Sequence, residues 1–288
     1  MDPILLSSLI ALGASVVFAL SNHVQHIALD YMDVGNGTLV NVATSALILW
    51  LLAPTFLVPE MLGGDAILWF ALAGLIVPSL SMTFHSWGVR LIGPALTAGI
   101  ASTSPVFAMV IAVAVLGEVL NLRIVTGTAI VVGSIAFIAL RSRGAGAQWP
   151  LWAVAIPVGA ALTRGISHNV IKIGLGTLPS PMTAALVAAT TSLVVLALVH
   201  LGSRRGLPSF NKGYLWFALC GFLNGLGLVG LNSALSLGEV IVVAPLVATT
   251  PAFTLIMGWL FFRREVVRFP VVLAIGCIFA GCVLIITR

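Results

Sequence analysis

Charge is what this chain has least of. Only 7% of its 288 residues are Asp, Glu, Lys or Arg, whereas 60% are apolar and the mean hydropathy is +1.19. An ordinary soluble domain carries about 25% charged residues, so that class is excluded and lipid must be the solvent. Acidic residues are scarcer still: Asp2, Asp30, Asp33, Glu60, Asp65, Glu118, Glu239 and Glu265 are all there are, each at the end of an apolar stretch. A buried carboxylate that exchanges a proton for a cationic cargo is therefore missing from mid-span, and proton coupling would have to use His23, His85 or His168. Cysteine is limited to Cys220, Cys277 and Cys282, inside apolar stretches and without CxxC spacing. This pattern argues against a metal centre or redox pair and reads as small hydrophobes, so no metal or cofactor is expected. The start, Met1-Asp2-Pro3, lacks the basic region of a cleaved signal peptide, and the first span is expected to stay as an anchor.

What the chain has is apolar runs of the length needed to cross a bilayer, about 20 residues each. Ten are expected, near 4–29, 38–58, 66–90, 95–116, 122–140, 149–174, 180–201, 213–237, 240–262 and 266–287, joined by short loops. Basic residues sort to one side. Arg90, Arg141, Arg143, Arg204, Arg205, Lys212, Arg263, Arg264 and Arg268 follow odd-numbered spans; the other side holds Arg123, Lys172 and Arg288. Cytoplasmic loops carry the Lys/Arg excess, so both termini are expected on the non-cytoplasmic side of a bacterial inner membrane. The net charge of +5 follows from this sorting, and the scattered basic residues form no nucleic-acid patch.

The sequence also repeats itself. A shift of 146 residues lays Gly13–Leu29 on Gly159–Leu175, with identities at Gly13, Ala14, Ser21, Val24, Ile27 and Leu29. A shift of 147 lays Leu68–Gly74 on Leu215–Gly221, differing only at Ala73 and Cys220. A repeat holding an odd number of spans starts its second copy from the opposite face, so the halves must be inverted. The expected fold is an all-α integral membrane protein: ten transmembrane helices as two inverted five-helix repeats, residues 1–146 and 147–288, around a central cavity.

Polar side chains inside hydrocarbon are costly and are candidate site residues by default. In the first span Asn22 and His23 correspond to His168 and Asn169 in the sixth. Two readings stand for them: gates at opposite ends of a passage, or hydrogen-bonding glue between helices. Arg164, opposite Phe18 in the repeat, is the only formal charge near mid-span. It could clamp a carboxylate or phosphate, or snorkel to helix-end carbonyls. His85 and Ser86 match Asn232 and Ser233 and are candidates for binding substrate. Thr103-Ser104-Pro105 matches Thr249-Thr250-Pro251; proline frees a carbonyl and bends the helix, so Ser104, Pro105, Thr250 and Pro251 are candidate hinge or cavity-lining positions. Asn41, Thr44 and Ser45 with Thr190, Thr191 and Ser192 form a weaker matched set, and Gly221 with Gly225 reads as close helix packing.

The ends of the two halves carry a more specific pattern. Ser104-Pro105, Gly117-Glu118, Gly127, Gly133 and Arg141 in the first, and Thr250-Pro251, Glu265, Gly276, Gly281 and Arg288 in the second, resemble the EamA-type members of the drug/metabolite transporter superfamily. The second copy departs from the pattern at Arg263-Arg264 and by one extra residue before its glutamate. Within the superfamily the chain looks similar to YddG-type exporters of aromatic and other neutral amino acids. The resemblance implies a central cavity walled by both halves and alternately open to either side, with the fifth and tenth spans peripheral. The expected activity is export of small zwitterionic metabolites, chiefly amino acids, by alternating access. A carrier of anionic metabolites such as sugar phosphates is the alternative, and a lipid-modifying membrane enzyme is a weaker one, since no clustered acid/base set is present. The expected partners are a small-molecule cargo and membrane lipid, with the chain acting as a monomer.

Overall fold

A computed structural model describes residues 2–92, 97, 100–141, 151–203, 206, 210–260 and 269–287. Within them all regular structure is helical: α1 Pro3–Ala28, α2 Val34–Leu52, α3 Asp65–Gly74, α4 Ser81–Ile92, α5 Ser104–Ile111, α6 Leu122–Arg141, α7 Ala155–Thr177, α8 Pro181–Gly202, α9 Lys212–Leu237, α10 Val240–Val247, α11 Thr250–Leu260 and α12 Phe269–Ile286. Local chemistry sets several starts. The side chains of Asp2, Asp33, Ser180 and Asn211 accept backbone N–H groups at the N-termini of α1, α2, α8 and α9, and proline fills the first turn of α1, α5 and α8. Five stretches are long and apolar enough to cross a membrane: Pro3–Ala28, Val34–Thr55, Pro181–Gly202, Lys212–Leu237 and Val240–Leu260; Asp65–Val77, Ser104–Leu116, Leu122–Ile138 and Val272–Ile286 are shorter apolar helices. The 23-residue α7 is long enough but carries Arg164, His168 and Lys172, which lower its hydropathy.

Three of the expected continuous spans are interrupted. The 66–90 stretch breaks in a wide turn at Leu75–Leu80, where Val77 adopts the extended backbone (φ −128°, ψ 129°). The 95–116 stretch turns at Ser102 and Thr103 before α5, and the 240–262 stretch turns at Ala248 and Thr249 before α11. The last two breaks are related by the 146-residue shift and stand just before the matched prolines, whose missing N–H cannot continue a helix. The basic residues Arg143, Arg204, Arg205, Arg263, Arg264, Arg268 and Arg288, together with Glu265, lie outside the described residues.

Contacts between the halves are made twice. α1 lies along α9, and their counterparts α7 and α3–α4 lie together; α2 packs on α9 as α8 packs on α3; α1 meets α10 and α11 as α7 meets α5. Individual bonds repeat as well. Ser45 Oγ donates to the Gly221 carbonyl at 2.6 Å and Ser192 Oγ to the Gly74 carbonyl at 2.8 Å, both partners displaced by 147 residues. At those glycines a Cβ would come within 2.3 Å of the Asn41 carbonyl oxygen and 2.4 Å of the Ala188 one. The matched glycines are therefore contact points between the two halves, where backbones approach too closely for any side chain. α6 and α12 pair chiefly with each other, crossing where Gly127 and Gly281 face each other's carbonyls. Ser7, Glu118, Lys172 and Gly238 meet at one end of the bundle, the Glu118 face; Tyr31 and Asn211 meet at the other, the Tyr31 face.

Candidate functional site

Arg164 sits on α7 with its Nε–H 3.2 Å from the Ser81 hydroxyl. Ser81 is 2% exposed and is the first residue of α4, immediately after the break at Leu75–Leu80. The N-terminus of a half-helix directs unpaired N–H groups and a positive dipole end outward, which is a poor neighbour for a guanidinium and a good one for an anion. One turn along α7, His168 has a buried Nδ1 with no hydrogen-bond partner. Among the described residues no carboxylate pairs with Arg164. Two cationic or donor side chains and a helix N-terminus thus converge where the protein supplies no counter-ion, an arrangement suited to a carboxylate or another small anion.

The other half carries the apolar version of this contact. Phe18, the repeat counterpart of Arg164, lies against Gly227 on α9, with its ring 2.6 Å from a Cβ built there; the counterpart of Ser81 is the next residue, Leu228. Neither the charge at 164 nor the hydroxyl at 81 is repeated at the matched positions, so the shared scaffold does not dictate the Arg164–Ser81 pair.

The expected gate residues divide. His23 Nε2 lies 2.8 Å from the Thr254 carbonyl, and Asn169 Nδ2 donates to the Ala108 carbonyl at 3.0 Å. Residues 23 and 169, like 254 and 108, are counterparts, so one interhelical bond is made twice, tying α1 to α11 and α7 to α5. Asn169 is 2% exposed and also donates to its own helix at Gly165. This geometry is helix-to-helix anchoring. Asn22, exposed, donates to Thr254 Oγ1 at 3.3 Å. Asn232 is fully buried with Nδ2 3.4 Å from the Pro181 carbonyl, and Ser233 bonds back to Val229 within α9; neither meets Arg164. Ser104 and Pro105 open α5 and Thr250 and Pro251 open α11, with Thr250 Oγ1 donating to Val247 across the turn. The side chains of His85 and Ser86 lie outside the described residues.

Two residues read from sequence only as span-end charges hold the Glu118 face together. Gly117 takes the left-handed conformation (φ 68°, ψ 21°) that ends the α5 stretch, a turn that favours glycine. The turn delivers Glu118 to the start of α10, where its two oxygens accept the Val240 and Ile241 N–H groups at 2.8 and 2.9 Å. A carboxylate on two orphan N–H groups at a helix N-terminus is a charge-assisted cap supplied by the other half of the chain. Beside it Lys172 Nζ donates to the Leu235 and Gly238 carbonyls at the end of α9, 2.7 Å each. The α9–α10 corner is thereby fixed from both sides. The sequence signal for Lys172 was only its place among the few basic residues of its side, and for Glu118 the Gly-Glu pair.

Two cavities lie away from these groups. One, of about 280 Å³, is lined by Trp87, Leu91, Trp152 and Ile156 at the Tyr31 end, and one of about 260 Å³ lies between α6 and α12. Neither touches Arg164.

A helical scaffold with paired contacts between two halves, broken helices and a cation facing one break is the anatomy of a membrane carrier. Comparison with known proteins agrees. The profile of the EamA-like transporter family matches residues 5–140 and again residues 151–287. A crystal structure of a protein 14% identical in sequence superposes with a TM-score of 0.81, covering 96% of this chain and 95% of that one, a likeness of fold. No curated protein sequence matches. By the family match over both halves, the chain belongs to the EamA-like transporter family and is a multi-pass membrane transporter of small molecules.

Proposed function

We propose that the protein exports small zwitterionic metabolites, aromatic and other neutral amino acids foremost, by alternating access between two five-helix repeats, residues 1–146 and 147–288. The observation that carries this reading is Arg164: a cation on a membrane helix, beside a half-helix N-terminus and an unpaired His168 nitrogen, with no acidic partner among the described residues. Arginine at mid-membrane costs about 2.5–3.5 kcal/mol on insertion scales, a cost that selection tolerates where a ligand uses the charge. A single guanidinium matches a single carboxylate. A sugar phosphate, with two charges, calls for more cations than Arg164 supplies at this point.

In this reading Arg164, His168 and Ser81 take the carboxylate, and His23 and Asn169 are anchors that keep α1 and α7 on their partners. The breaks before Pro105 and Pro251 are hinges. Ten crossings leave the Tyr31 face cytoplasmic and both termini outside a bacterial inner membrane, as the distribution of basic residues requires. The test is flux of labelled amino acids in proteoliposomes holding the pure protein, with sugar phosphates as a parallel panel. Saturable amino-acid flux supports the reading. Flux of phosphates alone, or none for any amino acid, overturns it.

A further inference from the structure

We propose that the groove between α6 and α12 is a binding site for an anionic phospholipid, with an acyl chain along the groove and the phosphate on the arginines at its mouth. The proposal needs only membrane placement and stands whatever the cargo. The two helices run antiparallel in a fixed register: Gly127 faces Gly281, and Arg123 near the start of α6 donates to the Thr287 carbonyl just past the end of α12. The same register sets Ser134 level with Ala274 and brings Arg141, the last residue of α6, level with Phe269, the first of α12. Between those levels lies a groove of about 260 Å³, lined by Gly133, Ser134, Phe137, Leu273, Ala274 and Cys277 together with Pro270. It faces outward. Phe137 and Leu273 are 44% and 54% exposed, whereas Ile135 and Ile278, on the inner sides of the same two helices, are buried.

The size of the groove decides what it can hold. Its lining on α12 runs from Pro270 to Cys277, about 10 Å of helix, which fits within the ~15 Å of hydrocarbon in one leaflet. Spread over that length, about 260 Å³ leaves a cross-section of roughly 25 Å², too narrow for a helix about 10–12 Å across and suited to one extended hydrocarbon chain. The mouth selects the head group. Arg141 ends α6, Arg143 stands two residues beyond it, and Arg268 comes two residues before Pro270 on the groove's lining. Arg263 and Arg264 precede Arg268 in the same short segment, where Glu265 is the one acid. At the far end of the pair, Arg123 is already bonded to the Thr287 carbonyl. Five cations against one anion beside a chain-sized groove suit a phosphate head group, because a guanidinium fork takes phosphate oxygens in pairs. Sorting of basic residues to the cytoplasmic side would account for the arginines alone. It does not account for an outward groove at the end of the pair that carries them.

The test uses the full chain purified in detergent micelles, where topology signals have no effect, with bound lipid counted by native mass spectrometry. The probes are dioleoyl phosphatidylglycerol, dioleoyl phosphatidylcholine with the same chains, and glycerol phosphate, which has the charge without the chains. The parent should retain phosphatidylglycerol more tightly than phosphatidylcholine and should not retain glycerol phosphate. Arg141→Gln combined with Arg268→Gln should weaken phosphatidylglycerol binding roughly thirtyfold and leave phosphatidylcholine unchanged. Gly133→Leu, at a position where a Cβ meets nothing within 4 Å, should fill the groove and weaken both lipids; Ser134→Leu serves the same purpose if the first variant does not fold. No retention of phosphatidylglycerol, equal retention of the two lipids, or parent-like phosphatidylglycerol binding in either the arginine or the groove variant would overturn the proposal. Two further results would do the same: glycerol phosphate bound as tightly as the lipid, which would make the site one for a soluble anion, or Gly133→Leu converting a dimer to a monomer, which would give the groove to a second copy of the chain.

Discussion

Replacing Arg164 separates a ligand role from a structural one because the two predict opposite signs for stability. In Arg164→Met the side chain keeps its reach but loses its charge and its bond to Ser81. A structural arginine would leave a hole in a bonded network. A ligand-binding one is a liability in the empty protein, since its desolvation is uncompensated and its neighbour is a helix N-terminus. Removing it recovers part of the ~2.5–3.5 kcal/mol insertion cost, so the empty variant should unfold at the same or a higher temperature than the parent. Cargo binding should move the other way: a hydrogen bond to a charged group contributes about 1.5–3 kcal/mol, equivalent to a ~10- to 150-fold rise in KM. The assay pairs thermal unfolding with proteoliposome flux, using an aromatic amino acid and the corresponding amine, which lacks the carboxylate. The parent should prefer the acid, and the variant should lose that preference. A variant that melts earlier and transports with unaltered KM would refute the reasoning.

Other outcomes follow from contacts the two halves share. Ser45→Ala and Ser192→Ala each remove a buried hydroxyl from a glycine carbonyl and should destabilise by about 0.6–1 kcal/mol apiece, adding in the double variant, as read by unfolding in mixed micelles; strongly unequal costs would break the equivalence. Gly74→Ala and Gly221→Ala place a Cβ within 2.4 and 2.3 Å of backbone oxygens, so the helices must part at a cost of about 1–3 kcal/mol or more each, and parent-like stability in either would contradict the packing. Gly127→Ala meets the Gly281 carbonyl at 2.7 Å and should lower stability while leaving KM unchanged; an altered KM would bring α6 and α12 into the transport path.

The doubling was legible in the sequence because identities survive where contact leaves no choice. Gly74 and Gly221 are fixed by the carbonyls of Ala188 and Asn41, and the Thr-Ser-Pro and Thr-Thr-Pro triplets by the turns they stand on. Arg164 was legible as a charge out of place, although its partner was not, since Ser81 is 83 residues away and looks like any membrane serine. The break at Leu75–Leu80 escaped notice. Pro78 gives the local reason, but proline is tolerated in membrane helices whenever neighbours satisfy the freed groups, as Ser192 does here for Gly74 and Val77. Glu118 was read as a loop charge because its partners are backbone N–H groups 122 and 123 residues on, which no side-chain pattern announces.

A duplicated carrier has a particular energetic consequence. Under the proposed alternating access, every contact made equally by both copies, such as Ser45 with Gly221 and Ser192 with Gly74, persists or is exchanged for its counterpart between the two states, and so cancels from their difference. What remains is set by the counterparts that differ. Lys172 offers three ammonium donors and holds two carbonyls, whereas its counterpart His26 can offer at most two ring N–H groups, so the two positions are not equivalent. Arg164 is charged where its counterpart Phe18 is not, so in the proposed reading a carboxylate acts at one site only, where α7 meets the cut third helix of the other half. A few kcal/mol of such mismatch suffices to set a resting state, and a ligand can reverse it only through differential contact with the two states. In the proposed reading that contact lies at Arg164 and Ser81, where the first residue of α4 meets α7.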